Sequence, residues 1–393
     1  MDTKQKKVMV IGGGIAGLTA AWEMARKNIA VDIVEKTGFL GGHAIGYSCK
    51  ATDECQQCGA CSVEAMLKNV IHEPLITVHL GLQVEKINKN GQFEVSLKTG
   101  DVDNPNNEKC TGAYETAPMD CAAARGYSRH NAVFCDTKGR LDPEKAGRAE
   151  NLAVDAIILA SGFQPFAAEK KPTYNYGIFD NVITGMDLER CKRAYGELFR
   201  PSDKRVPEKV AFIQCVGSRD ERLGNLWCSQ ACCPYALRSA EALKYKYPDM
   251  DITVFYMDIQ NTGKDYSEFY EKCRENLNFV RTIPVDMYKT DDDKIQTRFM
   301  DDEGKPAEGI FDLVVLSIGI TPGADNKELT EILGIDLDED GFFQTADMLS
   351  PTMSAKKGIF IAGTAQGPKT IEVSMAHAGQ AAREAIRFIR EAK

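Results

Sequence analysis

The sequence predicts an α/β protein built around a dinucleotide-binding sheet, and three observations lead there. Residues 8–11 (Val-Met-Val-Ile) form a short apolar run that ends in Gly12-Gly13-Gly14-Ile15-Ala16-Gly17. Residues 18–26 then carry helical spacing, and Ala30–Glu35 reads as a second strand. Residues 155–162, 311–319 and 358–364 repeat one design, an apolar strand that runs into a small-residue turn.

Each element of the glycine frame has a physical reason. Gly12 permits the tight turn, Gly14 lets the backbone approach a pyrophosphate, and Gly17 lets helix and strand pack closely. A pyrophosphate would rest on the helix N-terminus, where free N–H groups and the helix dipole favour an anion. Glu35 stands 18 residues after Gly17. An acid there suits ribose hydroxyls and repels a 2′-phosphate. Residues 358–364 lead through Gly367 into a helix over Ile371–Glu391, residues 75–87 read as one strand, and residues 209–214 as another.

Composition excludes several function classes. The 393 residues carry 48 basic and 57 acidic side chains, a net charge of −9, which argues against non-specific nucleic-acid binding. No apolar run reaches the roughly 18 residues of a membrane span. Thirteen cysteines form an odd set in a large chain, so a disulfide framework is a poor reading. Lys6-Lys7 and the apolar residues after them imitate a signal peptide, but three glycines interrupt the run and Glu23 and Arg26 continue past it. A reducing cytoplasm is expected, where clustered cysteines mean metal or redox chemistry. There is no Ser–His–Asp arrangement, P-loop or internal repeat, and no catalytic side chain is assigned. His72, His79 and His130 read as structural.

The three strand signatures, in this order, resemble two-dinucleotide-fold flavoproteins of the thioredoxin-reductase type. That resemblance implies a double Rossmann architecture in three segments. Residues 1–165 would open the FAD-binding domain, with a polar insertion at about 100–150. Residues 166–325 would form the second Rossmann-like domain, and residues 326–393 would close the first. It also implies FAD contacts at Gly12, Gly14, Ala16 and Gly17, at Glu35 and Lys36, and at Gly42 and His43. Further contacts follow at Val84, the adenine partner, at Ala160, Ser161 and Gly162, and at Gly363, Thr364, Lys369, Thr370 and Ile371. Thr364 stands where that family places an Asp for the ribityl chain.

The second domain lacks its expected glycine fingerprint. Residues 209–214 supply the strand, but Cys215-Val216-Gly217-Ser218-Arg219-Asp220 follows, and then Cys228, Cys232 and Cys233. Four cysteines with 12, 3 and no residues between them occupy the place of the phosphate-binding turn. Structural zinc prefers paired knuckles, which Cys232-Cys233 fits poorly. A disulfide between neighbours would be strained. An iron–sulfur cluster needs four thiolates and tolerates irregular spacing, and buried inert cysteines are the remaining alternative.

Cys215-Val-Gly-Ser-Arg with Cys228-Ser-Gln-Ala-Cys232-Cys233 resembles the flavoprotein component, the A subunit, of heterodisulfide reductases, as do Gly41-Gly42-His43 and residues 363–369. The resemblance covers nearly the whole chain and implies a [4Fe–4S] cluster on Cys215, Cys228, Cys232 and Cys233, beside FAD. Members of that family usually carry ferredoxin-like runs. Here Lys109-Cys110-Thr111-Gly112-Ala113 imitates one with its second cysteine lost, and Cys121 and Cys135 lack ligand spacing.

Among such flavoproteins, the compact chain looks most like the A subunit of the quinone-interacting membrane-bound oxidoreductase of sulfate reducers. That likeness implies two partners, a second flavoprotein of this kind and a haem-containing membrane subunit. It implies adenylylsulfate reductase as electron partner, and a cytoplasmic place on the inner face of the membrane. The alternatives are an assembly subunit with structural FAD and a heterodisulfide reductase-like, electron-bifurcating subunit. Cys55, Cys58 and Cys61 copy the first three ligands of a ferredoxin run, with Ala65 at the fourth position. Cys49 would have to complete a second cluster there; otherwise these thiols pack or meet a partner.

Overall fold

Burial begins where the glycine frame begins: Val8, Met9 and Val10 are fully buried in strand β1 (Lys7–Ile11). The structure is a computed structural model that describes residues 5–100 and 151–391, except 262, 265 and 302. Residues 101–150 of the expected insertion, with Cys110, Cys121 and Cys135, lie outside the described residues, as does His130.

After β1 come helix α1 (Ile15–Ala25), β2 (Ala30–Glu35), α2 (Ala60–Ile71) and β3 (Ile76–Leu80). Strands β4 (Leu82–Asn90), β5 (Gln92–Thr99), β6 (Asn151–Val154), β7 (Ala156–Leu159) and β8 (Gln164–Pro165) follow. The chain continues through β9 (Val182–Thr184), α3 (Gly185–Tyr195), β10 (Lys209–Val216), α4 (Cys232–Lys246) and β11 (Asp251–Phe255). Next are α5 (Tyr266–Asn276), β12 (Asn278–Val280), β13 (Asp286–Lys289), β14 (Ile295–Met300) and β15 (Pro306–Phe311). It ends with β16 (Leu313–Ile318), β17 (Ile320–Thr321), α6 (Asn326–Leu333), β18 (Ile359–Ile361) and α7 (Ile371–Glu391).

Two parallel sheets organise these elements. The first is ordered β18-β7-β1-β2-β3 and the second β12-β11-β10-β16-β9. Their apolar strands read as continuous runs because both faces are covered. Leu18, Ala21 and Met24 of α1 share one core cluster with Ala378, Ala381 and Ala385 of α7. The small side chains let the two helices approach closely. In an open parallel sheet, ligands bind beyond the carboxyl ends of the strands, where the strand order reverses. That point lies between β1 and β7 in the first sheet, and between β10 and β16 in the second.

Two strands expected as single runs are broken. Residues 75–87 divide at Gly81, whose φ of +68° turns the chain from the parallel sheet into the antiparallel β4-β5-β6 sheet. Residues 311–319 divide at Asp312, whose carboxylate accepts from the Glu208 and Lys209 N–H groups at 2.9 and 2.8 Å. The α4 helix starts at Cys232 rather than near Pro234, because proline within a first turn forfeits no helical hydrogen bond.

A buried ion pair joins the loop after the Gly41–Gly46 turn to α3. Thr184 and Asp187 form a capping box that fixes where α3 begins. Glu189 therefore sits in its second turn and pairs with Lys50; their side chains are 7% and 3% exposed. The other carboxylate oxygen accepts from the Ser48 N–H and hydroxyl, both at 2.8 Å. Both charges are thus paired and hydrogen-bonded, the condition under which burial is tolerated. Lys50→Met is expected to destabilise the fold by about 3–5 kcal/mol, because it strands the Glu189 charge. The double variant Lys50→Met/Glu189→Gln should recover most of that loss. Urea unfolding of the three proteins checks this.

Candidate functional site

At the switch point of the first sheet, β1 ends in Gly12 and β7 ends in Ala160. Gly12 has φ +103°, and a Cβ there would lie 2.3 Å from the Ala160 carbonyl oxygen. A Cβ on Gly17 would lie 1.9 Å from the Gly12 carbonyl oxygen. These two glycines let strand, turn and helix touch. Gly14 differs: it has an ordinary φ of −72° at the N-terminus of α1, and the nearest atom to a Cβ there is Gly42 Cα, 3.9 Å away. The protein leaves that space open, and it opens into a cavity of about 680 Å³.

The cavity gathers most of the residues expected from sequence. Gly12, Gly14, Ala16, Glu35, Lys36, Gly42, His43 and Val84 line it. So do Ala160, Ser161, Gly162, Thr364, Lys369, Thr370 and Ile371. Gly17 and Gly363 are not in its wall. Gly17 supports the turn, and a Cβ on Gly363 would meet Ala16 Cβ at 2.5 Å, so both act through packing.

The wall suits an anionic dinucleotide. The N-termini of α1 and α7 both reach it, and each carries unpaired N–H groups and the positive end of a helix dipole. The buried Ser161 hydroxyl has no protein partner. One Glu35 oxygen accepts from Gly13 N–H at 2.7 Å, and the other from Thr37 N–H and hydroxyl, both at 2.8 Å. The acid is therefore held in place at the end of β2, with lone pairs remaining for a ribose. Lys36 forms an ion pair with Asp325 across the wall. His43 Nε2 lies 3.0 Å from the Phe163 carbonyl oxygen.

In the same wall, Lys369 Nζ donates to Gln366 Oε1 at 2.6 Å and to the Gly367 carbonyl at 3.3 Å. Both acceptors are neutral, and burial pushes the ammonium down to about 8. His377, which the sequence places near the flavin motifs with packing as its other reading, ties the closing turn together. Its Nδ1 accepts from Gly363 N–H at 3.0 Å, so Nε2 carries the proton and donates to the Pro351 carbonyl at 2.9 Å. Burial, chiefly, lowers its pKa and keeps the ring neutral. Lys50, Glu189, Tyr235 and Arg238 also line the cavity. No sequence spacing connects them to the glycine frame.

The switch point of the second sheet holds cysteines where a glycine fingerprint would stand. β10 bulges between Ile213 and Val216, and Cys215 takes φ +59° there. A bulge re-aims the side chain of the residue it carries. A Cβ on Gly217 would lie 2.0 Å from Phe166 Cγ, and one on Gly319 would lie 2.5 Å from Ser229 Oγ. Protein side chains therefore fill the space that a pyrophosphate would need. Residues 227–229 are stitched to β17: Trp227 Nε1 donates to the Ile320 carbonyl at 2.9 Å, and Ser229 Oγ accepts from Ile320 N–H at 2.8 Å.

Cys215, Cys228, Cys232 and Cys233 converge beside this loop, all as free thiols. The charges of Cys215 and Cys228 bear on both Cys232 and Cys233, and that of Cys233 bears on Cys232. Burial, chiefly, raises the pKa of Cys215 and Cys232 and pushes Cys233 up to about 12. As thiolates they would need positive charge from a bound group. Among the described residues no three metal-ligating side chains close around a point as a single ion requires. Four thiols are the donor set that an iron–sulfur cluster requires.

The second cysteine group is less gathered. Cys58 lines the large cavity, and Cys49 lines a smaller one of about 270 Å³. Cys55 and Cys61 are exposed.

The cavity wall makes two outcomes testable. Gly14→Val should fold with a stability within about 1 kcal/mol of the parent, yet be purified without flavin, because its branches enter the dinucleotide space. Gly17→Val should instead fail to fold, and unfolding curves with flavin absorbance separate the two. For Lys369, the ammonium is buried at a cost that is fully present below pH 8. That cost is relieved as the folded protein loses the proton, and it is gone once the unfolded chain deprotonates above pH 10.5. Flavin-free Lys369→Met is therefore expected to be about 1–2 kcal/mol more stable than the parent at pH 7. Denaturation across pH 7–10.5 should show that gap closing.

Comparison with known proteins agrees with this geometry. Residues 10–59 match the family model of an NAD(P)-binding Rossmann-like domain. The chain is 31% identical to the A subunit of the H(2):CoB-CoM heterodisulfide,ferredoxin reductase of Methanothermobacter thermautotrophicus, over 98% of this chain and 64% of that protein. It is 32% identical to the iron-sulfur A subunit of the CoB--CoM heterodisulfide reductase of Methanocaldococcus jannaschii, over 96% of this chain and 63% of that protein. The chain thus spans less than two thirds of the length of these relatives. The solved structure of Lactococcus lactis thioredoxin reductase superimposes with a TM-score of 0.56 at 20% identity, over 98% of this chain and 100% of that one. Thioredoxin reductase of T. acidophilum gives 0.56 at 15% identity, over 98% and 99%. The fold is the two-Rossmann architecture of thioredoxin reductases, and the sequence is similar to that of heterodisulfide reductase A subunits, which are oxidoreductase components.

Proposed function

We propose that this chain is an electron-transfer subunit that holds FAD in the large cavity and a [4Fe–4S] cluster on Cys215, Cys228, Cys232 and Cys233. The observation that carries this reading is the exchange at the second switch point, where four coupled thiols stand in place of a glycine cradle. FAD would supply passage between two-electron and one-electron chemistry, and the cluster one-electron storage. The protein's own contribution is placement. Gly12 and Gly17 fix the turn, Gly14 leaves room for the pyrophosphate, Glu35 meets the ribose, and Val84 meets the adenine. Ala231 and Pro234 line the cavity and flank Cys232-Cys233, so one wall serves both groups. The name of one relative, an iron-sulfur component, supports the cluster.

At the level of physiology, the proposed role is that of the A subunit in a quinone-interacting membrane-bound oxidoreductase, linking menaquinone to adenylylsulfate reductase. The interrupted Lys109–Ala113 run supports it over a ferredoxin-bearing heterodisulfide reductase component. No helix among the described residues is long and apolar enough to cross a membrane, so contact with the quinone pool would need a haem-containing membrane partner. A second flavoprotein of the same kind would complete the assembly. The proposed location is the cytoplasmic face of the membrane. The triad Cys55, Cys58 and Cys61 with Cys49 is the place for any second cluster.

The test combines metal analysis with rapid kinetics. Anaerobically purified protein should release FAD and contain about four irons for this site. Cys232→Ser should lose the cluster signal and keep the flavin. Stopped-flow mixing with NADH or NADPH should reduce the flavin slowly, and a menaquinol analogue should do so quickly only when the co-purifying chains are present. Zinc in the parent, or fast saturable reduction of the isolated chain by either nucleotide, would overturn the reading.

A further inference from the structure

One cationic side chain stands beside Cys215 and Cys228. Arg219 lies in the loop that follows Cys215, in a left-handed conformation with φ +54°. Its N–H donates to the Trp227 carbonyl at 3.1 Å, which folds the loop back toward Cys228. Its guanidinium lies near the sulfurs of Cys215 and Cys228. The same guanidinium is paired with Asp258, which follows β11. Asp258 closes the other side of the site: its backbone carbonyl accepts from the Cys233 thiol at 3.9 Å. Its carboxylate faces Cys215 and Cys233 as well. Arg281, which donates to the Met257 carbonyl at 3.2 Å, is a second, more distant cation near that carboxylate.

The arrangement has two opposed charges beside one redox group. Reduction of a four-thiolate cluster adds one electron, makes or breaks no bond and takes up no proton, so it adds one negative charge. A guanidinium beside the ligand sulfurs stabilises that charge, because local net charge helps to set cluster potentials. A carboxylate paired with the guanidinium opposes the effect. Resting on the cluster reading given above, we propose that Arg219 and Asp258 are positioning residues that set the reduction potential of the cluster on Cys215, Cys228, Cys232 and Cys233, in opposite directions. Arg219 raises the potential, and Asp258 holds that rise in check.

The experiment is an anaerobic dithionite titration of the full chain, followed by electron paramagnetic resonance, with iron and flavin content measured on each sample. Arg219→Gln keeps a donor but removes the charge, and its midpoint should move to more negative potential. Asp258→Asn keeps the shape and frees the guanidinium charge, and its midpoint should move to more positive potential. Arg219→Lys should return the midpoint toward that of the parent. Midpoints that stay fixed, or that move the same way in Arg219→Gln and Asp258→Asn, with iron content intact in both, overturn this inference and leave the cluster reading standing. A parent without iron overturns both. A purely structural ion pair would lower iron content and stability in both variants without the reversal of sign, and that outcome also overturns the inference.

Discussion

The crevice above the second sheet cannot hold a dinucleotide and the Cys215–Cys233 loop at once, and that exclusion shapes the rest of the molecule. Phe166 packs on the backbone of Gly217, and Ser229 fills the space beside Gly319. Each contact is closer than any added Cβ would tolerate, so the loop is fitted to the crevice. An ordinary second Rossmann unit presents N–H groups and a glycine turn to phosphate oxygens. This one presents sulfur, buried at Cys215, Cys232 and Cys233, a donor that suits iron and does not bind phosphate. The fold has kept its strand order and replaced the chemistry at the switch point.

The first sheet makes the opposite choice with the same geometry. Its strand ends leave a void at Gly14, two helix N-termini face that void, and Ser161 offers an unpaired hydroxyl. The wall carries both signs of charge. Glu35 is fixed by Gly13 and Thr37. Lys369 sits among neutral acceptors with its charge held at a cost that a bound anion would offset. Lys50 and Glu189 bring a second, self-compensated pair to the wall, where they add no net charge.

Much of the nucleotide site was legible because it is local. Glycines at fixed offsets, an acid at the end of the second strand and small residues at strand ends each report on a few neighbouring atoms. The four cysteines were legible for the same reason: the chemistry lies in the residue type. What sequence could not show depends on long-range packing. The Glu189 partners Ser48 and Lys50 lie about 140 residues away along the chain, and no periodicity pairs them. The break at Gly81 was hidden because residues on both sides are good strand formers, and only the φ of the glycine separates the two sheets. His377 stands near the closing motif in sequence, but its role shows only in the Gly363 N–H that it accepts. Lys369 lies in the predicted motif, but the depression of its pKa comes from burial, which spacing does not encode.

The two sites are not independent, because the chain joins them through one short segment. Ala231 is the residue before α4, Cys232 and Cys233 open that helix, and Pro234 follows, with Ala231 and Pro234 exposed to the cavity. The backbone between cavity and thiols is therefore helical and proline-restrained, with little freedom to move one site without the other. Tyr235 extends the coupling: it lines the cavity, lies near the Cys232 sulfur, and donates its hydroxyl to the Ile318 carbonyl at 3.3 Å. That carbonyl belongs to the last residue of β16, one of the two strands that define the second switch point. A rigid connection of this kind suits one-electron exchange, which needs a short fixed separation and no transport of atoms. A mobile nicotinamide must enter, stack and leave; two groups held beside one helix start would need only to stay where the fold puts them.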